Sequence, residues 1–241
     1  MMVTGARKRI GWVVDAQEDF LRPDGRLYVV DRTDPADPGA EAVIQPLSET
    51  VRWMREHCAL TVYTADWHGM EDDEIDAEAP NFESTFPPHC MGRSVDPALA
   101  AGAEIIAEVR PGDPLVLSPD ASDDDARRLA KLAVERGAPI LIQKVRFCVF
   151  SGNPASGALL AELAGLLGGD LEVIVAGVAR DVCVKFAVEG LVDRGFVPTV
   201  VRDAVWGLGL EDAEAAFARW SERGRVIDVA DLRAEARAAA G

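Results

Sequence analysis

The sequence predicts an α/β domain: a three-layer, open parallel β-sheet with helices on both faces. Short apolar runs alternate with helical patterns from one end of the chain to the other, the signature of a parallel sheet wrapped by helices. No repeat or low-complexity linker breaks the alternation. A length of 241 residues suits one large domain with a well-buried core, so residues 1–241 are read as a single domain.

Taken in order, residues 10–14 (IGWVV) open the sheet, and residues 42–57 carry the first helical pattern. Residues 60–64 form the second strand, and 96–101 a short helix. Strand 115–117 is followed by helix 123–136, which Gly137 stops after Glu135 and Arg136. Strand 140–142 precedes helix 156–167. Residues 173–176, a β-branched run, read as a buried strand leading into helix 182–194, which Gly195 stops after Arg194. Strand 197–201, helix 212–223 and strand 226–229 complete the chain. Two stretches, 21–39 (rich in Pro, Gly and Asp) and 69–93 (without a clear period), follow strands and are expected as loops at the sheet's carboxyl edge, where binding sites are built.

The balance of 25 basic against 41 acidic residues, a net charge of -16, argues against nucleic acid or an anionic membrane as partner, since either needs a basic patch. No apolar run reaches the roughly 18 residues that span a bilayer, and MMVTGARKRIGWVVD enters a strand without a signal-peptide cleavage pattern. A cytoplasmic protein is expected. Cys58, Cys90, Cys148 and Cys183 have neither CxxC pairing nor dense spacing, so no zinc knuckle or disulfide framework is implied. The acidic runs 71–78 and 120–125 lack EF-hand spacing and read as solvated loops or helix entries.

Ligands of an open parallel sheet bind beyond the carboxyl ends of its strands, so the polar residues that end the apolar runs are the candidates. IGWVV ends in Asp15, LTVYTA ends in Asp66 followed by His68, ILIQ ends in Lys144, and VIVAG turns toward Cys183. Cys183 is placed in the first turn of a helix, where the dipole favours an anion and lowers a thiol pKa. A cysteine nucleophile needs a base and a cation, roles that suit Asp15 and Lys144. Asp66, His68 and His89 together make a three-ligand set for Zn²⁺ or Fe²⁺ with positions left for water or substrate. His57, at a helix end, complements the dipole instead.

With those residues in place, the chain resembles the isochorismatase-like cysteine hydrolases, and among them the nicotinamidases, over most of its length. VVDAQEDF is similar to the family's opening DxQxDF motif, which implies a catalytic Asp15 and a substrate-contacting Phe20. TADWH with the later FPPHC is similar to the nicotinamidase metal motif, implying a divalent ion (zinc first, iron or manganese next) on Asp66, His68 and His89. Lys144 matches the catalytic lysine, and AGVARDVCV the AGxxxDxCV box, with Cys183 as nucleophile and a cis Val178-Ala179 peptide.

The resemblance implies hydrolysis of a small-molecule carboxamide, nicotinamide to nicotinate plus ammonia, through a Cys183 thioester. Asp15 would take the thiol proton, Lys144 would stabilise the charged pair, and the backbone N–H groups of Ala179 and Cys183 would form the oxyanion hole. Phe20, Trp67 and Phe86 would wall the pocket, and a homo-oligomer, dimer or larger, is expected by analogy. Three features depart from the nicotinamidase pattern: KVRFCVFSG has no Gly after the lysine, Phe86 replaces a tryptophan, and segments 21–39 and 120–137 look like additions to a minimal member. Another small amide, carbamoyl or ureido compound is therefore the alternative substrate class. A non-catalytic metal- or partner-binding member is the remaining reading.

Overall fold

The computed structural model describes residues 8–240, with side chains described to residue 238. Among these residues lie β1 (Lys8–Val14), β2 (Thr61–Asp66), β3 (Leu115–Leu117), β4 (Ile140–Lys144), β5 (Leu171–Val178), β6 (Val197–Trp206) and β7 (Arg225–Ile227). They form one sheet in the order β3-β4-β2-β1-β5-β6-β7, and every neighbouring pair is parallel. The chain steps from β1 to β2, passes to the edge at β3, returns to β4 between β2 and β3, and then crosses to β5 on the other side of β1. The topological switch point, where a crevice opens at the strands' carboxyl ends, therefore lies beside β1.

All the expected strands are present, but pairing carries several of them past the apolar residues. β2 and β4 run on together until Asp66 faces Lys144 in register. β6 reaches Trp206 by way of an irregularity opposite Val175 to Gly177. β7 is shorter than expected, because the chain turns at Asp228 into a C-terminal helix.

The helices are α1 (Glu18–Leu21), α2 (Ile44–His57), α3 (Pro97–Ala100), α4 (Asp123–Arg136), α5 (Val149–Gly152), α6 (Ser156–Leu167), α7 (Lys185–Asp193), α8 (Ala213–Ser221) and α9 (Val229–Ala240). α4 has the bounds its local chemistry dictates. Ser122 and Asp125 form a reciprocal capping box at its start, and Gly137 ends it in the left-handed conformation at φ 63°. This helix makes up most of segment 120–137. It is the crossover that joins β3 to β4, and its Ala126, Ala130 and Ala133 are buried against the sheet and α6. α1 and α5 are single turns, too short to show a period; α9 went unrecognised in the alanine-rich tail.

Alternation along β1 sorts the two faces. Ile10, Trp12 and Val14 join the core formed with α4, α6, α7 and α8. Val13 points into the other, with Leu47, Val51 and Met54 of α2 and Leu232 of α9. Gly11 lets α2 approach, since a Cβ there would lie 2.8 Å from the Met54 sulfur. No helix among the described residues is long and apolar enough to cross a membrane.

Candidate active site

Four adjacent strands, β4, β2, β1 and β5, deliver Lys144, Asp66, Asp15 and the turn to Cys183 to one edge of the sheet. All four side chains are buried. Asp15 leaves β1 with φ 46°, in the left-handed region that Asp and Asn tolerate better than bulkier residues. Its Oδ1 accepts the Thr64 hydroxyl at 2.6 Å, and its Oδ2 lies 3.0 Å from the Lys144 ammonium. Lys144 also donates to Asp66 Oδ1, and its Nζ is 3.9 Å from the Cys183 sulfur. Oxygens of Asp15 and Asp66 and the Cys183 sulfur lie within 4.8 Å of one another.

Cys183 reaches this place by a backbone device. The Val178-Ala179 peptide is cis, as the sequence resemblance implied. Gly177 at φ 126° admits close contact with β1, where a Cβ would fall 2.0 Å from the Val14 carbonyl oxygen. Residues Arg180–Val184 then make a wide turn in which the Val184 N–H reaches back five residues to the Ala179 carbonyl at 3.0 Å. Such single wide turns recur at functional sites. This wide turn runs straight into α7, so Cys183 lies in the first turn of the continuous helix.

The expected helix-dipole activation of the thiol is overturned. Burial pushes the Cys183 thiol well above its ordinary range; Lys144 opposes the shift, while Asp15 and Asp66 reinforce it. Burial also raises the Asp15 carboxyl despite Lys144, which makes it a stronger base. Burial would lower the Lys144 ammonium, but Asp15 and Asp66 outweigh it and keep the side chain charged. The resting arrangement is thus a thiol beside a carboxylate and an ammonium, set for proton transfer.

Beside this group, Asp66, His68 and His89 offer ligand atoms that all lie within 4.8 Å of one another. His68 Nδ1 is 3.3 Å from Asp72 Oδ2, and His89 Nδ1 donates to the Pro87 carbonyl at 2.8 Å, so both Nε2 atoms turn toward Asp66. His68 Nε2 is buried with no hydrogen-bond partner. Burial, first among the causes, lowers the His68 pKa to about 4, which keeps the ring neutral as a metal ligand must be. For Asp66, burial acts upward, but Lys144 and the two imidazoles prevail and hold the carboxyl below its usual range. The residues fit a divalent cation: two neutral nitrogens and a carboxylate, with outer partners that fix both tautomers. Two buried carboxylates against one ammonium also leave the cluster with a negative excess.

Phe20, Phe86, His89, Ala179 and Cys183 line a cavity of about 40 Å³. Phe20 and Phe86 flank the His89 ring at 5.5 and 6.1 Å between centroids. Trp67 does not join this lining: its ring packs over Gly92, where a Cβ would lie 2.2 Å away.

Several residues here went unassigned in the sequence. Glu74 lines the cavity, and both its oxygens accept the Phe147 N–H at 3.0 Å. Burial, aided by the Asp66 charge, pushes it up to about 7. It lay inside an acidic run that reads as solvated; the loop folds back through Phe86 N–H to Glu74 O at 2.7 Å and buries it. Gln17 bridges two strand ends, donating to the Asp66 and Ala103 carbonyls at 2.8 Å and accepting the Asp66 N–H at 2.8 Å. Asp19 Oδ2 accepts the Cys90 N–H at 2.7 Å, fixing the residue after His89, and Asp181 holds the N–H groups of Leu208 and Leu210. The motif positions of Gln17, Asp19 and Asp181 were the available signal for these three.

The family model described as the isochorismatase domain matches residues 12–231. No curated protein sequence matches the chain. Among solved structures, it is similar to a pyrazinamidase/nicotinamidase from Streptococcus mutans, at 18% identity and TM-score 0.64 over 91% of this chain and 100% of that one. A pyrazinamidase of Pyrococcus horikoshii in complex with zinc gives 24% identity and TM-score 0.62 over 92% and 99%. An N-carbamoylsarcosine amidase from Thermoplasma acidophilum gives 22% and 0.62 over 92% and 96%. At these identities the likeness establishes a shared fold, and the third is named for a different substrate from the first two.

Proposed function

Because this chain belongs to the isochorismatase family, we propose that it is an amidohydrolase that cleaves a small carboxamide through a thioester on Cys183, with nicotinamide as the first substrate. The observation that supports this most is the buried set of Asp15, Lys144 and Cys183, with the ammonium 3.0 Å from the carboxylate and 3.9 Å from the sulfur. Asp15 accepts the thiol proton as the sulfur attacks the carboxamide carbon, and the raised Asp15 pKa suits it to that transfer. Lys144 balances the charge that moves onto the sulfur. The N–H groups of Ala179 and Cys183 serve the developing oxyanion, each worth about 3 kcal/mol by analogy with measured donors. Asp15 returns the proton to the departing nitrogen, so ammonia leaves and a thioester remains. Water, deprotonated by Asp15, then attacks the thioester; the acid departs and the thiol is restored.

Asp66, His68 and His89 would hold a divalent ion, zinc in the first instance, which when bound supplies Lewis-acid binding of a substrate heteroatom. Phe20 and Phe86 hold the substrate's flat group against His89.

A carbamoyl or ureido substrate is the second reading, favoured by Glu74. A buried carboxyl lining the same cavity suits a substrate with N–H groups beyond the scissile amide. Ammonia release from nicotinamide, measured against a panel of carbamoyl and ureido compounds, decides between the two. Turnover of nicotinamide supports the first; turnover of the panel without nicotinamide replaces it by the second, and no turnover of any compound would sink both.

A further inference from the structure

Outside the Cys183 cavity lies a second, larger space of about 320 Å³, against about 40 Å³ for the cavity itself. The two share Leu27, Phe86 and Leu208, which stand at the boundary between them, the neck. Beyond the neck the walls are Tyr28 and Val30 from one loop, Phe82 from a second and Leu210 from a third. Arg32 is the one charged side chain that lines it.

We infer that this vestibule binds an apolar extension of the substrate, so that the preferred carboxamide carries an alkyl or aryl group reaching from the Cys183 cavity through the neck. The inference rests on the amidohydrolase reading and narrows its substrate class, with nicotinamide as a minimal substrate.

Volume is the first argument. The space beside Cys183 is about 40 Å³ against about 320 Å³ beyond the neck, so a ligand much larger than one flat ring places its bulk beyond the neck. Construction is the second. Asp181, two residues before Cys183, accepts the Leu208 N–H at 2.9 and 3.0 Å and the Leu210 N–H at 2.9 Å, which fixes one vestibule wall to the nucleophile's own turn. The opposite wall is strapped down as well: Leu27 and Val29 donate to the Asp19 and Phe20 carbonyls at 3.2 and 3.0 Å. The Tyr28 hydroxyl is occupied by the Pro38 carbonyl and the Glu41 N–H, so it turns no free polar group toward the space. Exposure is the third. Phe82 and Leu210 are 49% and 66% exposed, and Phe82 keeps φ 58°, unusual for a bulky residue, while its ring meets Phe86 edge-on at 6.4 Å. Segment 21–39, expected from the sequence as a loop at the sheet's carboxyl edge, is the main builder of this wall.

The test is a chain-length series, acetamide to octanamide with nicotinamide as reference, on the wild-type chain and on Phe82→Ser and Leu210→Ser. A fully buried methylene is worth roughly fourfold in binding, so partial burial predicts a rise of at least about tenfold in kcat/KM from acetamide to octanamide. The two variants are expected to lose most of that gain while changing nicotinamide turnover less than about twofold. A flat series, or equal losses on octanamide and nicotinamide, would overturn the inference while leaving the amidohydrolase reading standing. So would dissociation of an oligomer by Leu210→Ser in light scattering, which would assign the apolar surface to a second copy of the chain. If no amide is turned over, the amidohydrolase reading is what fails; calorimetry with octanamide against acetamide then decides whether the vestibule binds an alkyl chain, equal weakness of the two overturning it.

Discussion

The Lys144 ammonium stands 3.0 Å from Asp15 Oδ2, and neither side chain meets solvent. Asp66 accepts a hydrogen bond from the same ammonium, so one cation serves two buried carboxylates. Lys144→Met leaves both without their cation. Breaking a buried pair in this way costs about 3–5 kcal/mol, so urea unfolding should show a loss of that order together with loss of amide hydrolysis. A variant as stable as the parent would remove the ion pair from the account.

Asp15→Asn keeps the shape and tolerates the left-handed backbone at φ 46°, but cannot take a proton. General-base loss predicts a fall in kcat of about 10²–10⁴, with KM changed far less. Steady-state kinetics of ammonia release checks it; a change confined to KM would recast Asp15 as a binding residue.

His89→Ala removes one of three convergent ligands. Equilibrium dialysis with zinc should fall from about one ion per chain to near zero. The unfolding midpoint should lose its zinc dependence, since a ligand at 100 times its Kd stabilises by about 2.7 kcal/mol. Zinc retained at full stoichiometry by the variant would mean that the ion sits elsewhere.

At the opposite, amino end of β5, Glu172 accepts the Thr199 hydroxyl at 2.6 Å and the Arg9 guanidinium at 2.7 Å, and Arg225 lies 3.0 Å away. Burial acts to raise this carboxyl, but Thr199 and Arg9 prevail and its pKa is lowered from 4.5. A depressed carboxyl contributes stability above its unfolded pKa and loses it as pH falls through the folded value. The stability gap between the parent and Glu172→Gln should therefore be full near neutral pH and shrink below about pH 4.5, read by urea melts from pH 7 to 3. A gap that widens with acid would reverse the assignment.

The parts of this molecule that were legible in its sequence are those governed by local chemistry. Helices 123–136 and 156–167 match α4 and α6 residue for residue, each ending at a glycine in the left-handed region. The strand-end residues Asp15, Asp66 and Lys144 converge with Cys183 because each follows an apolar run in a parallel sheet, a relation that topology alone enforces. What depends on chain folding back on itself was not legible. Glu74 is buried only because the loop after β2 returns along itself, and the loop has no periodic signal from which the packing of Trp67 against Gly92 could be read. The thiol's electrostatics also depended on depth: a position near a helix start suggests a lowered pKa, whereas burial beside two carboxylates raises it.

Acid-quenched mass spectrometry during turnover of a slow carboxamide, followed by peptide mapping, addresses the covalent chemistry directly. The expected result is an acyl group on the peptide that contains Cys183, absent from Cys183→Ala, whose ammonia release falls to background. Undiminished turnover by Cys183→Ala, or an acyl group mapped to another residue, would contradict the thioester on Cys183.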